Sequence, residues 1–185
     1  MDRSAEAYRR FREENDESGL VDIICAHKDG LIMYLQSIVG DFHTAEELAI
    51  DTFAFLGVKK PRDSGKSSFR TWLYAIGRNQ AIDYLRKQSR RKETPFDDLS
   101  GYDDGSDFVG RYITKERDIR LHKALGNLNP DYRQILWLIY FENMSVREAA
   151  EIMHKSTHAA EAAASRARAA LREALKKEGM TDYEN

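Results

Sequence analysis

The segment from Phe69 to Arg91, FRTWLYAIGRNQAIDYLRKQSRR, constrains this chain most. It is an aromatic-rich helical pattern that passes, with no proline, into a strongly basic one. Aromatic rings stack on unpaired bases, and arginine and lysine hold phosphates. A helix carrying both suits a protein that opens a DNA duplex and keeps one strand. The competing interpretation is an ordinary amphipathic helix with aromatics in the core.

A chain of 185 residues has room for one domain or two small ones. Charged residues are abundant and glycine and proline few, which favours helix. The one cysteine, Cys25, excludes an internal disulfide framework and fits a reducing compartment. Its place in the apolar run Val21-Asp22-Ile23-Ile24-Cys25 predicts a core position. No apolar run approaches a membrane span, and the N-terminus is charged rather than signal-like, so a soluble cytoplasmic chain is expected.

The net charge of −2 speaks weakly against nucleic acid, but its distribution speaks for it. Arg86, Lys87, Arg90, Arg91 and Lys92 form a basic block, and Asp97, Asp98, Asp103, Asp104 and Asp107 follow at once. Arg166, Arg168, Arg172, Lys176 and Lys177 make a second basic run. Two basic patches separated by an acidic stretch suit two DNA-contacting modules on a tether; the alternative is two solvated helix faces.

The expected architecture is all-α, with two small helical domains, residues 1–93 and 113–185, joined by a flexible acidic linker over 94–112. The first domain should hold a polar helix over Ala5 to Glu14 and a second over Leu20 to Val39, broken or bent near Gly30. A third should open on a capping box at Thr44-Ala45-Glu46-Glu47, and the aromatic-basic helix follows. The second domain should start a helix at Asn129-Pro130 and another on a capping box at Ser145-Val146-Arg147-Glu148. After a break at Lys155-Ser156-Thr157, a basic helix from His158 to about Lys177 completes a helix-turn-helix pattern.

These motifs resemble those of the extracytoplasmic-function (ECF) group of the sigma-70 family. Phe69, Thr71, Trp72, Leu73, Ile76, Asn79, Asp83 and Arg86 fall in register with F-x-T-W-L-x-x-I-x-x-N-x-x-x-D-x-x-R of the promoter-melting region. Thr44 to Phe53 is similar to region 2.2, and Leu128 to Ala150 to region 4. Ile50 departs from the usual glutamine. In the last helix Ala160 and Ala164 stand where larger aliphatics are usual, which predicts a weakened recognition helix and a C-terminal domain less stable than the N-terminal one.

The resemblance implies a sigma factor that binds core RNA polymerase and directs promoter-specific initiation, without covalent chemistry and without a cofactor or metal. It implies that Glu47 and Asp51 bind core polymerase. Lys66, Arg70, Tyr74, Arg78 and Asn79 would meet the melted minus-10 strand, and Arg86 and Lys87 its phosphates or edge. Thr157, His158, Glu161, Ala162 and Ser165 would face the minus-35 duplex, with Arg147, Arg166 and Arg168 on phosphates. Burial is the expectation for Trp72. Many relatives are held inactive by an anti-sigma factor, and no feature of the chain identifies one. Two other functions compete with that of a sigma factor. A helix-turn-helix regulator acting without polymerase leaves Phe69–Arg91 unused. An all-α magnesium-dependent nucleotide pyrophosphohydrolase, suggested by Glu46, Glu47 and Asp51, needs a second acidic helix, and the sequence offers none.

Overall fold

The computed structural model describes residues 2–92 and 116–179, which are helices and short connections with no strand among them. The acidic linker over 94–112, and the domain boundaries drawn at its ends, lie outside the described residues.

The N-terminal helices are α1 (Arg3–Glu14), α2 (Glu17–Val39), α3 (Phe42–Lys59) and α4 (Phe69–Lys92). Each of the first three starts on an aspartate. Asp2, Asp16 and Asp41 accept hydrogen bonds from the first free backbone N–H groups, as helix N-termini require. Asp2 does this for two helices at once: Oδ1 accepts from Ser4 and Ala5, and Oδ2 accepts from the N–H of Phe69 at 3.0 Å, where α4 begins. Lys60, with φ of 43°, ends α3 in the left-handed region before Pro61.

Three sequence expectations change here. The start of α3 is Asp41, not Thr44. Asp41 Oδ2 accepts from the Thr44 N–H at 2.6 Å, so Thr44 already lies inside the helix. α2 is one helix with Gly30 inside it, not broken there. Cys25 is exposed rather than in the core. It follows buried Ile23 by two residues, roughly 200° around a helix of 3.6 residues per turn.

α2 packs against α1, α3 and α4, and carries the centre of this core with Ile23, Leu31, Leu35 and Tyr34. Each such aliphatic contributes about 1.5–3 kcal/mol when fully buried. Trp72 is half-buried against Tyr8 and Phe69, with ring centroids 5.4 and 5.5 Å away. The Tyr8 hydroxyl donates to the carbonyl of Pro61 at 2.6 Å, and burial pushes its pKa up to about 12.

The C-terminal helices are α5 (Glu116–Gly126), α6 (Pro130–Leu136), α7 (Val146–Ile152) and α8 (Thr157–Lys177). Asn129 caps α6 with proline at its first position. Ser145 and Glu148 form the reciprocal capping box of α7, and Ser156 caps α8 one residue ahead of expectation. The helix that starts at Pro130 does not run on as a regular α-helix. α6 passes at Trp137–Phe141 into a π-helical turn, closed by the N–H of Glu142 donating to the Trp137 carbonyl at 3.1 Å. α5, α6 and α7 all pack on α8. The two sets of helices also pack on each other: α4 lies against α7, and α2 against α6 and the π turn.

Candidate nucleic-acid interface

α4 gathers most of the residues expected to hold a melted strand, and four of them meet the C-terminal domain. Arg70 is paired with the carboxylate of Glu142. The Tyr74 hydroxyl donates to the same carboxylate at 2.7 Å. Arg78 Nε donates to Gln134 Oε1 at 3.1 Å, and Asn79 Oδ1 hydrogen-bonds with His154 Nε2 at 2.9 Å. Near the start of α4, Thr71 Oγ1 donates to Glu148 Oε1 at 3.3 Å. Across the same interface Arg133 Nε donates to the carbonyl of Ser37 at 2.6 Å.

Tyr74 departs furthest from a strand contact in this arrangement. Its ring is 1% exposed and stacks on Tyr34, with centroids 5.5 Å apart. Burial, and next the nearby Glu142 charge, hold its hydroxyl well above the ordinary tyrosine range, so it remains a protonated donor. Lys66, Arg86 and Lys87 are exposed, and Arg86 pairs with Asp83 at 3.3 Å.

α8 sorts its residues by face. Thr157, His158, Glu161, Ser165, Arg166 and Arg168 are exposed, Ala162 is half-buried, and Arg147 is exposed on α7. Ala160, Ala163, Ala164 and Ala167 are buried and form the packing face. The unusual alanines are therefore core residues that let α8 lie close to its neighbours.

On α3, Glu47 and Asp51 are exposed, and His43 Nε2 stands 3.4 Å from Glu47. Between and beyond them Ile50, Phe55 and Val58 are 57%, 37% and 77% exposed. At 3.6 residues per turn these apolar side chains share one exposed face with the two acids. Among the described residues no group of three or more His, Cys, Asp or Glu stands together as a metal site, so Glu46, Glu47 and Asp51 gain no acidic partner helix.

Residues 23–91 match the family description "Sigma-70 region 2", and residues 118–171 match "Sigma-70, region 4". Together the two spans take in more than half of the 185 residues. The chain belongs to the sigma-70 family. It is 29% identical to the ECF RNA polymerase sigma factor SigM of Bacillus subtilis over 87% of this chain and 97% of that protein. It is also 29% identical to the ECF RNA polymerase sigma factor RpoE of Cereibacter sphaeroides, over 77% and 78% of the two chains. Two solved structures share the fold. Bartonella quintana RpoE in complex with the anti-sigma factor NepR gives a TM-score of 0.66 at 24% identity, covering 83% of this chain and 94% of that one. CnrH in complex with the cytosolic domain of CnrY gives 0.64 at 23%, covering 95% and 97%.

As an ECF sigma factor the chain directs transcription initiation by binding core RNA polymerase and promoter DNA, and it is not an enzyme. Region 2 carries α2 to α4, and region 4 carries α5 to α8. A regulator acting without polymerase and a pyrophosphohydrolase are not favoured by these relatives. Among the described residues no helix is long and apolar enough to cross a membrane.

The residues that sequence reading missed are those of the interface between regions: Gly30, Gln134, Glu142, Glu148 and His154. Glu142 lies 72 positions from Arg70, and nothing local in the sequence pairs the two.

Proposed function

We propose that three faces divide the work of this sigma factor. The α3 face docks core polymerase through Glu47 and Asp51, with Ile50 and Val58 as the apolar centre of the contact. The α4 face, with Arg70, Tyr74, Arg78 and Asn79, together with Lys66 in the loop before it, holds the melted minus-10 strand, and Arg86 and Lys87 hold its phosphates. The outer face of α8, from Thr157 through His158, Glu161, Ala162 and Ser165, reads the minus-35 duplex. Arg147, Arg166 and Arg168 position it on phosphates. Residues 1–93 and 113–185 serve as the two domains, the work is done in the cytoplasm, and an anti-sigma factor is the class of partner that restrains it.

One observation supports this division above the others: α3 exposes three large apolar side chains, Ile50, Phe55 and Val58, on the face that also carries Glu47 and Asp51. The test is titration of Glu47→Lys/Asp51→Lys with core polymerase. Core affinity should fall at least tenfold, about 1.4 kcal/mol or more. Helicity should be unchanged, since both side chains are exposed. Unaltered affinity removes the docking assignment. For the strand face, Arg78→Ala/Asn79→Ala should impair open-complex formation more on closed duplex than on a template with a pre-opened bubble. Equal defects on both templates count against it.

A further inference from the structure

We infer that Gly30, Arg70 and Tyr74 form an anion-binding niche, filled in the closed chain by the carboxylate of Glu142 and in the open chain by a phosphate of the melted strand. This rests on the proposal that α4 is the strand face.

The niche is built, not incidental. Its two donors are a guanidinium and a phenol, and its floor is the backbone of α2 at Gly30. A Cβ at Gly30 would lie 2.5 Å from Tyr74 Oη and 3.0 Å from both carboxylate oxygens of Glu142, so only glycine leaves room for the anion. Glycine in a helix interior is unfavourable, yet α2 carries one here without breaking. Glu142 is 8% exposed and Tyr74 1% exposed, so the carboxylate is taken almost wholly out of water. A buried carboxylate demands such charge-assisted donors. The π turn ends at Glu142 itself, its last hydrogen bond made by that residue's N–H. Such turns recur at functional sites.

All donors belong to region 2, and the acceptor belongs to region 4. A guanidinium and a hydroxyl converge on one anionic oxygen, Glu142 Oε2, and a phosphodiester presents such an oxygen as well as a carboxylate does. The neighbouring contacts of Arg78 with Gln134 and Asn79 with His154 close the same face. Strand and Glu142 therefore compete. The apparent affinity of the closed chain for a strand is reduced by the fraction of molecules that are open.

The experiment uses the full chain, a short fluorescent oligothymidylate, and two variants with helicity checked first. Glu142→Gln keeps the shape and removes the charge. Gly30→Ala leaves every charged group and fills the niche. For Glu142→Gln, small-angle scattering should show a larger radius, and the oligonucleotide should bind roughly tenfold tighter. For Gly30→Ala the radius should also grow, with little or no gain in binding, because the seat is occupied by a methyl group. An unchanged radius in both variants overturns the closed pairing. Equal tightening in both overturns the niche as a phosphate seat while leaving α4 as the strand face. A larger radius in both with no tightening in either counts against the strand-face reading itself.

Discussion

Arg86 and Arg70 carry the same charge on the same helix but do different work, and their surroundings say why. The Arg86 side chain is 70% exposed, and its partner Asp83 is 63% exposed at 3.3 Å. An ion pair that open to water is worth little, so the guanidinium can leave it for a phosphate at small cost. Arg70 is half-buried, and removing its partner strands a charge away from water. Arg86→Ala is therefore expected to weaken DNA binding by polymerase carrying this sigma factor. It should reduce the slope of log affinity against log salt by about 0.7–0.9, one phosphate's worth. A slope identical to wild type would show that Arg86 meets no phosphate. At this scale the sequence was legible where a helical face alternates cleanly, as at exposed Glu47 and Asp51. It failed at Cys25, because a short apolar run does not reveal which of its members faces inward.

Helix starts and stops were legible wherever a cap speaks for itself, as at Asn129 and Ser145. They were missed where two candidate caps compete: Asp41 and Thr44 both suit an N-cap, and packing of buried Phe42 admits the extra turn. The Ser145 capping box carries a pH prediction. Its hydroxyl, and next its backbone N–H, hold the Glu148 carboxyl below the ordinary range. Because the folded pKa is depressed, this stability is present above the unfolded value. It is lost as pH falls through the folded one, which lies below the ordinary glutamate value. Glu148→Gln should flatten the acid limb of a stability–pH curve, and an unchanged limb would remove the assignment. Ser145→Ala should cost about 1 kcal/mol at neutral pH by urea unfolding. The α8 alanines need a revised expectation. Ala160 and Ala164 are 0% and 1% exposed. Larger aliphatics there should overpack rather than repair the helix. Ala160→Val/Ala164→Leu should lower stability by about 1–3 kcal/mol in the same assay. A gain would mean that α8 packs more loosely than its burial indicates.

At the scale of the molecule, two helical regions and their order could be read from the chain, because each has its own periodicity and caps. Their mutual packing could not. Arg70 and Glu142 lie 72 positions apart, and only the folded surfaces bring them together. That packing has a thermodynamic consequence. Regions that share buried charge-assisted bonds cannot unfold separately without leaving Arg70, Tyr74 and Glu142 unsatisfied. Each such loss typically costs about 1–3 kcal/mol. The intact chain is therefore expected to melt in a single calorimetric transition, with calorimetric and van't Hoff enthalpies equal. Glu142→Ala/Arg78→Ala removes the carboxylate and the bond to Gln134 while leaving the core of each region untouched. Its melting should split into two transitions, the earlier one belonging to the smaller region 4 domain, where less apolar surface opposes chain entropy. The enthalpy ratio decides the matter. A ratio that stays at unity in the double variant would mean that the coupling resides in contacts such as Arg133 with the Ser37 carbonyl, and that Glu142 only fills the niche without joining the domains.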